Sequence, residues 1–385
     1  MQTMNGAGQS AAGGWMIRDV ALATAAPALA CENVLELLGL PDLASCVDAQ
    51  HGSDGVGAFF HMRLHAQQAA LWAPGYDTLS LSAVLGLDPV KHTEDLNREI
   101  VISMLLAPIP FEFPSVAELL SAVRIRCHTV VAARKTTLAF HTSTAERPED
   151  CWTYNEDHGF ILRPGVSLIR ALVRATQPEV SGALYSFSCY RASEYLIVLG
   201  IAQELVHCNP ALLLQLETLW AHRPIKSGEF HDVFLREQGS MESPVPPNYF
   251  VPGDRTWFRN PHEASADASG FEGSWVMYLG GGLFNNFWKT DAPYTLTDKC
   301  LEIYHWRHGL YLDSEGEPRI DEGVVAVRVQ ATLQDPQELA RVLRIMQRYR
   351  EPRGVYTDAG GCIDTTREFA RWVCPGTADL VLPAP

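Results

Sequence analysis

The order of patterns along this chain predicts an α+β fold. Three observations carry that reading. Helical spacing dominates the first half, a helix near the middle is apolar nearly all round, and strand-like alternation gathers after residue 250 before helical spacing returns. The regular strand–helix–strand alternation of a doubly wound parallel sheet is missing, and no internal repeat is visible.

Taken in order, residues 1–14 are rich in Gly, Ser and Ala and are expected to be a mobile leader. Residues 20–30 are apolar and Ala-rich, with Arg18 the positive charge before them, and read as a weak helix rather than a secretion signal. The stretch 15–74 mixes apolar runs with turn signals such as Gly52-Ser53-Asp54-Gly55. Ser115 is placed to cap a helix over 116–133, with Glu118 completing a capping box. Residues 151–154 and 159–163 alternate around the polar turn 155–158, the pattern of a hairpin. A helix is expected over 167–175. The most apolar one follows over 190–205, where Leu196, Ile197, Leu199 and Ile201 wrap the axis and Glu194 and Glu204 are expected to mark its exposed side. After a Pro-rich polar stretch at 223–247, the clearest strand is 274–279, bounded by Gly273 and Gly280-Gly281-Gly282. Those glycines read as a tight strand exit, because no Lys-Ser/Thr follows to make a phosphate cradle. A helix over 296–307, a strand over 324–330 and a helix over 335–347 complete the reading.

Composition bounds the function. Of 385 residues, 47% are hydrophobic and 19% charged, against about 25% charged in a typical soluble domain. Enough apolar surface is present for a large core. The net charge of −15 repels phosphate backbones and anionic lipid, so nucleic acid and membrane surfaces are poor partners. No window reaches the roughly 18–20 apolar residues of a spanning helix. Nine cysteines without CxxC spacing argue against a metal ribbon or a disulfide framework, and the expected compartment is the reducing cytoplasm. Nothing implies a metal or an organic cofactor.

The strongest chemical candidate is Cys189, at the opening of the buried helix after Ala183-Leu184-Tyr185-Ser186-Phe187-Ser188. The positive end of the helix dipole and its free N–H groups favour thiolate over thiol, as a nucleophile requires. The same amides suit the oxyanion formed when a thiolate attacks a carbonyl carbon. Placement alone leaves a small buried core cysteine equally open. Asp254 reads as a turn-closing carboxylate, and Asn285 and Asn286 as turn formers or orienters.

Several segments in shared order resemble the small bacterial protein-glutamine γ-glutamyltransferases of spore coats. They are Phe113-Pro114-Ser115-Val116-Ala117-Glu118-Leu119, Leu184-Tyr185-Ser186-Phe187-Ser188-Cys189, Gly253-Asp254-Arg255-Thr256-Trp257-Phe258, Gly273-Ser274-Trp275-Val276-Met277-Tyr278 and Val329-Gln330-Ala331-Thr332. The resemblance implies a papain-like core over 95–347, its Cys189 helix packed on a mainly antiparallel sheet, between an N-terminal extension (1–94) and a C-terminal tail (348–385). It implies a cysteine that takes an acyl group from a glutamine side chain and passes it to an amine, and Cys189 falls on that nucleophile. Other positions depart. The glutamate before the cysteine is Ser188, the strand glutamate is Ser274 with Glu272 two residues away, and the histidine is expected near Phe287, where none occurs. Of thirteen histidines, His262 is favoured as a substitute, ahead of His231, His305 and His308. A chain without that imidazole fits three readings: a recruited histidine, an activated donor such as a carrier-protein thioester, or a non-catalytic binding protein.

Overall fold

The computed structural model describes residues 13–139, 145–224, 226–289 and 291–383, so residues 1–12 of the expected leader lie outside it. Strands β1 (Trp15–Ile17), β2 (Val47–Ser53), β3 (Ala58–Leu64) and β4 (Phe111–Phe113) form one sheet in the order β2-β3-β1-β4. β4 comes from beyond residue 94, which ties the N-terminal segment to the rest. The apolar stretch at 20–30 is split into α1 (Val20–Thr24) and α2 (Pro27–Leu37), since Pro27 is tolerated only in a first turn.

Next come α3 (Thr93–Leu105) and α4 (Val116–Arg134). Ser115 caps α4, accepting from the Glu118 N–H at 3.2 Å. The expected capping box is not completed. The Glu118 carboxylate turns instead to the C-terminal segment, accepting from the N–H groups of Val373 (3.1 Å) and Cys374 (2.8 Å) and the Thr377 hydroxyl (2.6 Å). A buried carboxylate is satisfied better by three donors than by one.

The hairpin forms as expected from β5 (Trp152–Asn155) and β6 (Gly159–Leu162), with the Asn155 side chain accepting from the Asp157 and His158 N–H groups. Helix α5 (Leu168–Thr176) leads to α6 (Cys189–Cys208) and α7 (Pro210–His222). α6 is the central element, packed on α4, α5 and α7. At Gly200 a Cβ would lie 2.3 Å from Thr129 Oγ1, so the α4–α6 crossing needs glycine there. Glu194 and Glu204 do not mark an exposed side: they are 0% and 2% exposed. A helix surrounded by apolar neighbours has no such side, so its carboxylates are paired inside, Glu204 with Arg124 at 2.7 Å and Glu194 with Arg191 at 2.9 Å.

The second sheet contains β7 (Leu235–Gln238), β8 (Arg255–Arg259), β9 (Gly273–Gly280), β10 (Leu283–Phe284) and β11 (Arg367–Ala370), antiparallel in the order β10-β9-β8-β11-β7. The segment expected to trail as a tail therefore supplies an interior strand. α6 packs against β9, bringing a buried helix onto an antiparallel sheet. β9 ends in a tight exit, where the Gly281 N–H (φ 62°) and the Tyr278 hydroxyl each donate to the buried Glu99 carboxylate at 3.0 Å.

Helix α8 (Glu263–Ala266) joins β8 to β9, and α9 (Leu296–Gly309), α10 (Glu322–Leu333) and α11 (Pro336–Met346) complete a second core. Residues 324–330 are helical, not the expected strand. Asp321 accepts from the Gly323 and Val324 N–H groups (2.9 and 3.1 Å), starting a helix that packs on α9 and buries Val325 and Thr332. Four valines in 324–330 suggest a strand, and capping with tertiary packing overrides that preference. Among the described residues no helix is long and apolar enough to cross a membrane.

Candidate active site

Cys189 is the first residue of α6. Ser188 caps the helix, accepting from the Arg191 N–H at 3.2 Å, and the Cys189 thiol is half-buried in the wall of a cavity of about 970 Å³. Tyr154, Phe160, Phe187, Trp257, Trp275 and Trp288 make much of that wall aromatic. Arg147, itself buried, stacks its guanidinium 3.9 Å from the Phe187 ring centre and donates to the Tyr195 hydroxyl at 3.1 Å. Arg191 and Lys226 add positive charge, and Glu272 adds a carboxylate.

The electrostatics around the thiol differ from the sequence expectation. Burial pushes the Cys189 pKa above its ordinary value; the Trp275 and Tyr190 N–H groups and the charges of Lys299 and Arg255 favour the thiolate without offsetting that cost. The helix start is present, but desolvation outweighs it.

Two cations stand behind the wall. Arg255, on β8, donates to Ser193 Oγ at 2.8 Å and to Glu368 at 2.6 Å, with its guanidinium 3.9 Å from the Trp275 ring centre. Lys299, on α9, is 3% exposed; its Nζ lies 2.8 Å from Glu302, 3.4 Å from Ser274 Oγ and 3.7 Å from the Tyr294 ring centre. Burial opposes the Lys299 ammonium, yet Glu302 and Tyr294 raise its pKa overall, so it keeps its proton.

The predicted residues are partly brought together. Cys189 and Glu272 share the cavity, where the Glu272 carboxylate accepts from the Gly270 N–H at 3.4 Å. Ser274 does not line it, and carries instead the Lys299 contact. His262 is not brought to the cavity: its side chain caps α8 by accepting from the Ser265 N–H at 3.3 Å. Burial and the nearby Arg307 charge lower its pKa. Phe287, where the resemblance leads to a histidine, is buried in the core. His158, on the β5–β6 turn, is the imidazole among the described residues that lines the cavity.

Sequence reasoning missed Lys299, Arg255 and His158. Lys299 with Glu302 has the spacing of an ordinary surface ion pair on a helix, and nothing local reveals that its ammonium is enclosed. Asn286 acts as a turn former, accepting from the Trp288 N–H (3.1 Å), whereas Asn285 bonds across to β9, accepting from the Met277 N–H (2.7 Å). Asp254 closes its turn by accepting from the Val251 N–H (2.7 Å), and pairs with Arg126 at 2.7 Å. Among the described residues one group has metal-ligand convergence: His231, Glu237 and Glu368, with ligand atoms within 4.8 Å of one another. Arg255 already neutralises its buried member, Glu368.

A thiol at a helix start, with N–H groups turned to it and an aromatic cavity before it, is suited to adding to a carbonyl carbon. The chain belongs to the protein-glutamine γ-glutamyltransferase family, whose model matches residues 83–380. That span takes in the interior strand β11 as well as the central helix. Among solved structures it is similar to a transglutaminase from Geobacillus stearothermophilus (without C-terminal extension), at 20% identity over 56% of this chain and 98% of that one, with a TM-score of 0.37. No curated protein matches it.

Proposed function

We propose that the protein forms amides by passing an acyl group through a thioester on Cys189, using a papain-like core, and that its preferred donor is an activated thioester rather than a glutamine side chain. The observation carrying the reading is a helix-start thiol beside a strand on which Ser274, where the resemblance would put a glutamate, meets the Lys299 ammonium at 3.4 Å instead, with Phe287 standing where a histidine is expected. The Cys189 thiolate attacks the donor carbonyl carbon, and helix-start N–H groups donate hydrogen bonds to the oxyanion. The intermediate then collapses onto Cys189. A leaving thiolate departs without a proton, whereas a leaving amine needs one, and general acid help is typically worth about 10²–10⁴-fold. An amine next attacks the acyl-enzyme, its extra proton passing to Glu272 or water as Cys189 leaves. His262 has no part in this sequence; it stays the cap of α8. Among the described residues none of 13–94 lines the cavity, and a carrier protein in the cytoplasm would present the donor.

Intact mass spectrometry tests this with thioester and glutamine-peptide donors side by side. The expected result is an adduct from the thioester, scarcely any from glutamine, and none after Cys189→Ala. Efficient glutamine use would restore the amide-donor reading, with an acid other than His262. No adduct from either donor, across varied acyl chains, would favour a non-catalytic binding protein.

A further inference from the structure

We propose that Lys299 is a positioning residue for Cys189, its enclosed ammonium holding the nucleophile's negative charge from behind β9. The inference rests on Cys189 being the nucleophile of the proposed reaction.

The geometry begins with the strand. Ser274 and Trp275 are neighbours on β9; the Lys299 ammonium lies 3.4 Å from the Ser274 hydroxyl, and the Trp275 N–H is turned to the Cys189 sulfur. Trp275 lines the cavity with Cys189 and Ser274 does not, so Lys299 meets β9 on its side away from the cavity. It is not among the cavity-lining residues, so it acts through the nucleophile and not on substrate. Its own position is fixed by Glu302 at 2.8 Å, three residues along α9, and by the Tyr294 ring. In this low-dielectric setting a charge acts far more strongly than in water. Lys299 and Cys189 each stabilise the other's charged form.

The remaining charged groups near the thiol do less. Arg255 faces it from β8, paired with Glu368 at 2.6 Å as Lys299 is with Glu302, and its guanidinium is further engaged by Ser193 Oγ at 2.8 Å. Arg147 is buried against the Phe187 ring and the Tyr195 hydroxyl and Arg191 pairs with Glu194 at 2.9 Å, while Lys226, His158 and Glu272 line the open cavity, where solvent screens them. Of the two enclosed cations, Lys299 weighs more on the thiolate than Arg255 does. Unlike an imidazole, it neither takes the thiol's proton nor gives one to a leaving group while its pKa stays raised. It would supply the charge half of a cysteine–histidine pair without the proton-transfer half, in keeping with a donor whose leaving group needs no acid.

The test is the pH dependence of Cys189 alkylation by iodoacetamide, read by peptide mapping. No acyl donor is involved, so failure of the proposed acyl transfer and failure of this inference are separable. Lys299→Met should move the rate–pH line to higher pH by about one unit, roughly a tenfold slower reaction at fixed pH. Lys299→Arg, which keeps the charge, should restore the line to within about 0.3 unit. An unmoved line in a folded Lys299→Met variant, or an equal shift in Lys299→Arg, would overturn the assignment. Should Lys299→Met fail to fold, Lys299→Gln, which keeps a hydrogen-bond donor for Ser274 but no charge, takes its place. Its line should likewise move to higher pH, and no movement would refute the proposal.

Discussion

At the scale of single residues, the decisive group is a thiol whose surroundings pull in opposite directions. Burial raises the Cys189 pKa above its ordinary 9, while two N–H groups and two cations act against it. The thiolate fraction at neutral pH is small and grows about tenfold per pH unit. Acylation by a thioester donor should therefore rise log-linearly from about pH 6 to beyond pH 8; a stopped-flow profile that levels off by pH 7 would show a depressed thiol pKa instead. Glu272 makes a separate prediction. Glu272→Gln should slow aminolysis of the acyl-enzyme by about ten- to a hundredfold while leaving Cys189 acylation unchanged, as single-turnover mass spectrometry would show. That Cys189 opens a helix was legible from the local turn and capping signals, whereas Glu272 came to notice only through the resemblance at Ser274. Lys299 was not legible, since enclosure of an ammonium depends on three elements meeting.

At the scale of elements, helix identity was legible wherever capping and spacing agreed, as at α4, α9 and α11. It failed at α10, where β-branched residues carry a strand preference that packing on α9 overrides. That contact has a titratable seam. His305 Nδ1 lies 2.9 Å from His308 Nδ1, and His305 Nε2 lies 2.9 Å from Thr332 Oγ1 on α10. Burial and then the His308 charge lower the His305 pKa to about 4. The unfolded chain binds this proton more readily, so stability is fully present above pH 6.5 and falls as the pH drops from there toward 4. The loss should reach up to about 3 kcal/mol, and His305→Gln should flatten the slope in denaturant titrations at pH 7, 6 and 5. The α4–α6 crossing makes a steric prediction. Gly200→Ala places a Cβ against Thr129 Oγ1 and should cost about 1–3 kcal/mol, with Thr129→Ala recovering part of it in thermal melts.

At the scale of the whole molecule, the α+β class followed from the order of patterns, and the helix-on-sheet arrangement from the family resemblance. The role of residues 348–385 did not, because a short strand such as Arg367–Ala370 has no periodicity long enough to read, and its partners lie far away in sequence. The Glu118 carboxylate fastens this segment to α4. Glu118→Ala strands two buried N–H groups and should cost about 2–4 kcal/mol. A lower melting temperature together with earlier proteolytic cleavage near residue 374 is the expected outcome; an unchanged melting curve would show that the segment is held elsewhere.

The sheet order also sets a timetable for synthesis. β7 emerges from the ribosome long before its neighbour, and it joins β8 only through β11, so the strand bearing Arg255 keeps an open edge until residue 370 has left the exit tunnel. Unpaired strand edges invite pairing with other chains. During translation the nascent protein thus passes through an interval in which the Cys189 helix can already be complete while its sheet remains unclosed, and chaperone occupancy should be greatest over that interval.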